Sequence, residues 1–202
     1  TDQAVALTSA QLGALTSAQI GGLTSAQAGA LTSAQLGALT SSQVRALEVN
    51  DLQAIAATKM PTAMLQSLTT AQIAGLTTDQ AGALTSAQIG ALTSAQIVGL
   101  TSAQAGALTS TQLGALTSSQ VQALEVRDLQ AIVATKMPTA MLQSLTTTQL
   151  VGLTSAQAGA LTSTQVQALT SAQVKSLTTA QIAGLTTDQA VALTSAQLGA
   201  LT

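Results

Sequence analysis

The sequence predicts an all-α repeat protein, a solenoid of very short capped helices with one helix for every eight-residue repeat. Three observations lead to this prediction. A leucine recurs every eight residues along most of the chain. A threonine follows it, with a glutamine three residues later, which is the spacing of a helix capping box. Each unit has only two large apolar positions, so neighbouring units must stack to form a core.

The eight-residue unit, or octad, has the consensus L-T-[ST]-[AST]-Q-[ILVA]-x-[AG], and we number its positions 1 to 8 from the leucine. In the unit that begins at Leu84, Thr85 is placed at the N-cap and Gln88 at the third helical position. The hydroxyl and the side-chain amide then cap each other's backbone N–H groups. Thr93 and Gln96 repeat the pattern. We therefore expect a helix of about five or six residues to restart in every octad.

Two other folds explain the period less well. In one continuous helix, eight residues turn the chain by about 800°, so successive leucines wind around the axis and form no stripe. Repeated glycine weakens such a helix further. A β-solenoid is the alternative, although positions 1 and 6 have opposite parity and would point to opposite faces of a strand.

The whole chain, residues 1–202, is expected to be a single continuous octapeptide-repeat solenoid with inserts at 47–67 and 124–144. Each insert divides into an octad, five extra residues ("IAATK" or "IVATK"), and a further octad that begins at a methionine. Residues 187–202 are identical to residues 1–16. Their offset equals 22 octads and two five-residue stretches, which indicates a second, longer period. With no initiator methionine or signal peptide, the chain is interpreted as a segment of a longer array.

The two inserts hold most of the unusual side chains, and we expect them to be docking points for a neighbouring rod. In an alternative interpretation, the insert is a longer coil that closes a corner, and its charges form a surface ion pair. The paired carboxylates could also bind Ca²⁺, but they supply fewer than the six to eight oxygens that calcium takes. The candidate inter-rod contact residues are Glu48, Asp51, Lys59, Met60, Pro61, Glu125, Asp128, Lys136, Met137 and Pro138.

The composition argues against several classes of function. The chain has no His, Cys, Tyr, Phe or Trp, so its hydroxyls have no histidine base, and we expect no enzyme, no cofactor and no metal site. A net charge of −2 and the lack of aromatic residues argue against nucleic acid as a partner. Mean hydropathy is +0.44, yet polar residues interrupt every apolar run well before the ~20 residues of a membrane span.

The octads "LTTAQIAGLTTDQ" (68–80) and "LTSAQLGALTSSQVRALEVNDLQAI" (31–55) resemble repeat tracts of very large bacterial surface or secreted proteins, often labelled adhesins or haemagglutinin-like proteins. The resemblance covers the whole chain and transfers no catalytic or binding residue. It implies an extracellular or cell-surface location and a structural role in a long fibre, filament or adhesin stalk. Such a segment would associate with itself, head to tail and by lateral bundling, with surfaces or matrix as further partners.

Two other functions are compatible with the pattern. Regularly spaced threonines on an uncharged face are compatible with an ice-binding or surface-binding module, although the first threonine of each octad is committed to a cap. The regularity is also compatible with a designed repeat scaffold. The irregular choice among Ile, Leu, Val and Ala at position 6 favours an evolved sequence instead.

Overall fold

The computed structural model describes residues 6–201, and this stretch consists of short helices and turns with no β-strand. Each octad forms one α-helix, and each five-residue stretch of an insert contains a 3-10 helix, so the all-α repeat solenoid is confirmed. In chain order the elements are α1 Ser9–Gly13, α2 Ser17–Gly21, α3 Ser25–Ala30, α4 Ser33–Gly37, α5 Ser41–Ala46, α6 Val49–Ala54, η1 Ala57–Lys59, α7 Thr62–Ser67, α8 Thr70–Gly75, α9 Thr78–Ala83, α10 Ser86–Gly90, α11 Ser94–Val98, α12 Ser102–Ala107, α13 Ser110–Gly114, α14 Ser118–Ala123, α15 Val126–Ala131, η2 Ala134–Lys136, α16 Thr139–Ser144, α17 Thr147–Val151, α18 Ser155–Ala160, α19 Ser163–Ala168, α20 Ser171–Ser176, α21 Thr179–Ala183, α22 Thr187–Val191 and α23 Ser195–Ala200.

Threonine at position 2 begins nearly every helix through the capping box. Thr85 has an extended backbone, its Oγ1 accepts from Gln88 N at 3.2 Å, and Gln88 Oε1 accepts from Thr85 N at 2.7 Å. Thr93 and Gln96 make the same pair of hydrogen bonds. Among the helices listed above, those without a threonine cap begin after Glu48, Pro61, Glu125 and Pro138.

Three units complete one turn of the solenoid. Each helix packs against the helix three units before it and the helix three units after it, so that α9, α12 and α15 form one column. A turn made of three octads therefore takes 24 residues. The stack has three sides, and the position-1 residues lie at the corners between them.

The five-residue stretch of each insert takes the place of one octad within a turn. η1 packs against α9 and η2 packs against α18, at the positions that a full helix would occupy. The expectation of a coil at a corner is wrong, because these five residues form a whole side. The 3-10 bond from Lys59 N to Ala56 O at 2.9 Å makes this side compact. A turn with an insert has two octads and five residues.

The interior of the stack is filled by positions 1 and 6. Leu31 at position 1 and Ile89 at position 6 are fully buried. Together with the methionines of the inserts, these aliphatic side chains form one cluster that extends from Leu12 to Val174. Within residues 6–201, no helix combines the length and the apolar character that crossing a bilayer requires.

Small residues at positions 7 and 8 set how closely successive turns approach. Gly75 at position 8 of one unit lies over Val49 of the earlier turn, and a Cβ built on Gly75 would lie 2.7 Å from Val49 Cγ1. Gly152 meets Val126 in the same way at 2.5 Å. Val49 and Val126 therefore fit against glycines that leave room for them.

We expect Gly75→Ala to lower the free energy of unfolding by about 1–3 kcal/mol, because the added methyl group overlaps Val49 and the turns must separate. The matched control is Gly199→Ala, since a Cβ there meets nothing within 4 Å. Without overlap, the gain in helix propensity should stabilise this variant by roughly 0.5–1 kcal/mol. Thermal unfolding followed by circular dichroism measures both. Equal effects of the two substitutions would contradict the close approach.

Candidate functional site: the glutamine ladder and the inserts

The side-chain amide of the position-5 glutamine links each turn to the one before it. Gln96 Oε1 accepts from Thr93 N at 2.9 Å, while Gln96 Nε2 donates to Leu65 O at 2.7 Å and to Leu68 O at 2.8 Å. These bonds use the amide oxygen and both amide N–H groups of a side chain that is 3% exposed. Because Leu65 and Leu68 lie at the C-terminal end of α7, the glutamine also satisfies carbonyls that a helix end leaves open.

This arrangement, which we call the glutamine ladder, runs along the described part of the rod. Sequence reasoning predicts the capping half of it, from the spacing of Thr and Gln. The acceptors of Nε2 lie 25–31 residues earlier, at distances that no local pattern identifies. The glutamines that donate to an earlier turn are Gln35, Gln43, Gln72, Gln80, Gln88, Gln96, Gln104, Gln112, Gln120, Gln149, Gln157, Gln165, Gln173, Gln181, Gln189 and Gln197.

The hydroxyls of the cap threonines are used within the molecule. Thr93 Oγ1 accepts from Gln96 N at 3.2 Å and lies 3.3 Å from Gln96 Oε1, to which it donates. The same contacts recur at Thr170 and Gln173. The row of threonines is therefore not a free hydroxyl surface, which weighs against the ice-binding alternative.

Four of the candidate inter-rod residues lie inside the rod, so the prediction is wrong for them. Asp51 and Asp128 are 3% and 0% exposed, and Met60 and Met137 are 1% exposed each. The octad register explains this, because the methionines occupy position 1 and the aspartates occupy position 5, both of which face inward. A role in contacts between rods stays a prediction for the accessible residues, which are Glu48, Lys59, Pro61, Glu125, Lys136 and Pro138.

The buried aspartates reverse the direction of the ladder bond. Ser25 Oγ donates to Asp51 Oδ1 at 3.1 Å, and Glu48 N donates to Asp51 Oδ2 at 3.2 Å. In the second insert, Ser102 Oγ donates to Asp128 Oδ1 at 2.7 Å, and Asp128 Oδ2 is buried without a partner. The carboxylate accepts from the earlier turn where a glutamine would donate to it.

The expected surface ion pair forms in the second insert. In the second insert, Arg127 Nη2 lies 2.7 Å from Glu125 Oε2, and both side chains are well exposed. Such a pair contributes at most about 1 kcal/mol. Asn50 takes the place of Arg127 in the first insert.

Residues 6–201 contain no group of three or more His, Cys, Asp or Glu side chains that could hold a metal ion.

Two methionines that sequence reasoning did not single out hold the ladder position of their units. Met64 and Met141 stand at position 5, where the glutamine would be, and each is 2% exposed. Counting the octad from Met60 would have identified them.

A shallow apolar notch of about 270 Å³ lies beside the second insert and is lined mainly by Ile132, Val133 and the alanines of α18.

One family model matches the chain. The ALTTAQ repeat matches in six overlapping or separate stretches, which together cover most of the sequence. A comparison with curated proteins finds no match. The matched residues are 1–33, 44–86, 57–94, 86–118, 135–171 and 170–202.

We expect Gln96→Glu to lower the free energy of unfolding by about 3 kcal/mol or more. The carboxylate keeps the acceptor for Thr93 N, but it has no N–H for Leu65 O and Leu68 O and places a buried charge against two carbonyls. Urea unfolding followed by circular dichroism measures the loss.

The control for this substitution is Gln167→Glu, which makes the same chemical change at an exposed position-7 side chain. This variant should unfold within about 0.5 kcal/mol of the parent protein. If the two variants were equally stable, the buried amide would not hold the turns together.

Proposed function

Because the chain belongs to the ALTTAQ repeat family, we propose that it is a structural repeat module: a rod segment of a long extracellular bacterial fibre, filament or adhesin stalk. Its partner is a further copy of the same architecture, by continuation along the axis and by lateral contact, with surfaces or matrix as further partners. The observation on which the proposal rests is the glutamine ladder, which joins successive turns in the same way along the rod except at the inserts.

The polarity of the ladder supports unlimited extension. Between two turns outside the inserts, the later turn presents amide donors and the earlier turn presents carbonyl acceptors, as at Gln173 and Leu142 O, 2.7 Å apart. The end of a rod that carries amide donors is thus complementary to the end that carries carbonyl acceptors, and neither end is complementary to itself. Contacts of this heterologous, non-closing type generate filaments.

The long period of the sequence supports the same function. An offset of 22 octads and two five-residue stretches amounts to 24 units, because each five-residue stretch replaces one octad in the stack. At three units per turn, this is eight complete turns. In an extended array, residues 192–201 therefore return to the side of the rod that residues 6–15 occupy.

The outer surface supports lateral association. Only 12 of the 202 residues are charged, and Val98, Val133 and Val151 are 40–54% exposed on the sides of the rod. A weakly charged surface with scattered apolar side chains gives little electrostatic repulsion between parallel rods.

An extracellular location is part of the proposal. It agrees with the lack of cysteine thiols, which oxidation would modify.

We expect the purified 202-residue segment to form filaments of uniform width when it is concentrated, with an axial spacing of roughly 8–10 Å from stacked helix layers. Negative-stain and cryo-electron microscopy test this directly. Discrete rods at every concentration would contradict self-assembly, and thermal hysteresis and surface-adsorption assays would then test the binding alternatives.

A matched pair of variants tests the end-to-end contact. In the isolated segment, Gln11 and Gln19 have no earlier turn for their amide N–H groups, and Gln11→Glu with Gln19→Glu removes these donors while the carboxylates can still accept from the caps. This double variant should give short rods. Asn50→Asp with Gln167→Glu adds the same two charges on the sides of the rod and should leave the filaments long.

A further inference from the structure

The glutamine ladder stops for one full turn at each insert. In the first insert, the three successive ladder positions are occupied by Asp51, by the five residues 55–59 and by Met64. None of these provides a side-chain amide, because a carboxylate only accepts and a thioether has no N–H. The second insert repeats the same arrangement with Asp128 and Met141.

The carbonyls that face this gap follow from the rule of the ladder. Each glutamine donates to the carbonyl that begins the unit three units earlier, as Gln43 donates to Leu15 O at 2.6 Å. By this rule, the gap of the first insert faces the carbonyls of Leu23, Leu31 and Leu39. Three consecutive corners, one for each side of the rod, thus lack the bond that holds other turns together.

Exposed bonds on the outside of the rod replace the buried ones. Arg45 Nε, at position 7 of the unit before the gap of the first insert, donates to Ser67 O across the gap at 3.3 Å. Water competes for these groups, so such bonds contribute less than buried ones. The corresponding donor across the gap of the second insert is Gln122, whose Nε2 donates to Ser144 O.

The buried aspartate of the second insert adds a cost at its turn. Asp128 is fully buried, and its Oδ2 has no hydrogen-bond partner. A buried carboxylate oxygen without a donor opposes the closed stack, because water would solvate it in an opened one. The turn of the second insert therefore combines missing buried amide bonds with an unfavourable buried oxygen.

We propose that each insert is a joint at which adjacent turns separate before the other turns of the rod do, under heat, denaturant or axial load. Between the joints, ladder bonds on all three sides hold successive turns together. At a joint, apolar packing, one exposed position-7 bond and the single bond from Ser25 to Asp51 or from Ser102 to Asp128 remain. A long rod with such joints opens in steps at fixed places and keeps the intervening segments intact. The inference concerns the rod alone, so its failure leaves the fibre proposal standing.

Hydrogen exchange of the whole 202-residue protein, resolved by mass spectrometry or NMR, tests the joint. The amides of Leu52 and Leu65, beside the first insert, are compared with those of Ile89 and Ile97, which occupy the same position in ladder-bonded units and bond to the same kind of carbonyl. We expect exchange about tenfold faster or more at Leu52 and Leu65. Equal or slower exchange at these two amides overturns the proposal.

A pair of substitutions tests the cause. Met64→Gln restores an amide at the ladder position, whereas Met64→Leu keeps an apolar side chain there. The glutamine variant should slow exchange of Leu65 relative to the leucine variant, and no difference between them overturns the missing donor as the origin of the joint. Met141→Gln and Met141→Leu repeat the comparison at the second insert, and circular dichroism establishes that each variant retains its helices.

Discussion

The structure depends on one side-chain amide that makes two connections at once. The position-5 glutamine accepts the backbone N–H that begins its own helix and donates to carbonyls that end a helix one turn earlier, as Gln88 does between Thr85 N and Met60 O. A helix of five or six residues is far too short to persist alone, since isolated helices shorter than about 12 residues are marginal in water. Such a helix consists mostly of ends, and the glutamine satisfies both kinds of end.

The two apolar positions then determine where the chain turns. Position 1 lies at a corner and position 6 on the inner face of the short helix, and both point into one narrow core, as Leu92 and Ile97 do. Leucine, isoleucine and valine fill this space, and the small residues at positions 7 and 8 let the next turn approach. A larger side chain at these positions separates the turns and removes the glutamine from its acceptors. Packing and hydrogen bonding therefore depend on the same spacing.

The local half of this architecture could be predicted from the sequence, because caps and apolar spacing act within eight residues. Thr85, Gln88, Thr93 and Gln96 have the roles that their spacing indicates. The number of units per turn could not be predicted, since it depends on which distant carbonyl each amide reaches. The expectation that each insert forms a corner coil is wrong for the same reason. In the sequence they add five residues to an octad array, whereas in space η1 and η2 each replace one octad, and the register then places Asp51 and Asp128 inside.

Three units per turn also limits how such an array can change its length. The gain or loss of a single octad would move every later unit to the neighbouring side of the rod, and any lateral contact would lose its alignment. The gain or loss of three units would leave every side chain on its own side. The long period of 24 units obeys this constraint, because it contains eight complete turns only when each five-residue stretch counts as a unit. A rod whose sides make specific lateral contacts is expected to keep a period that contains a whole number of turns. A rod whose sides make no such contacts would not need to keep it.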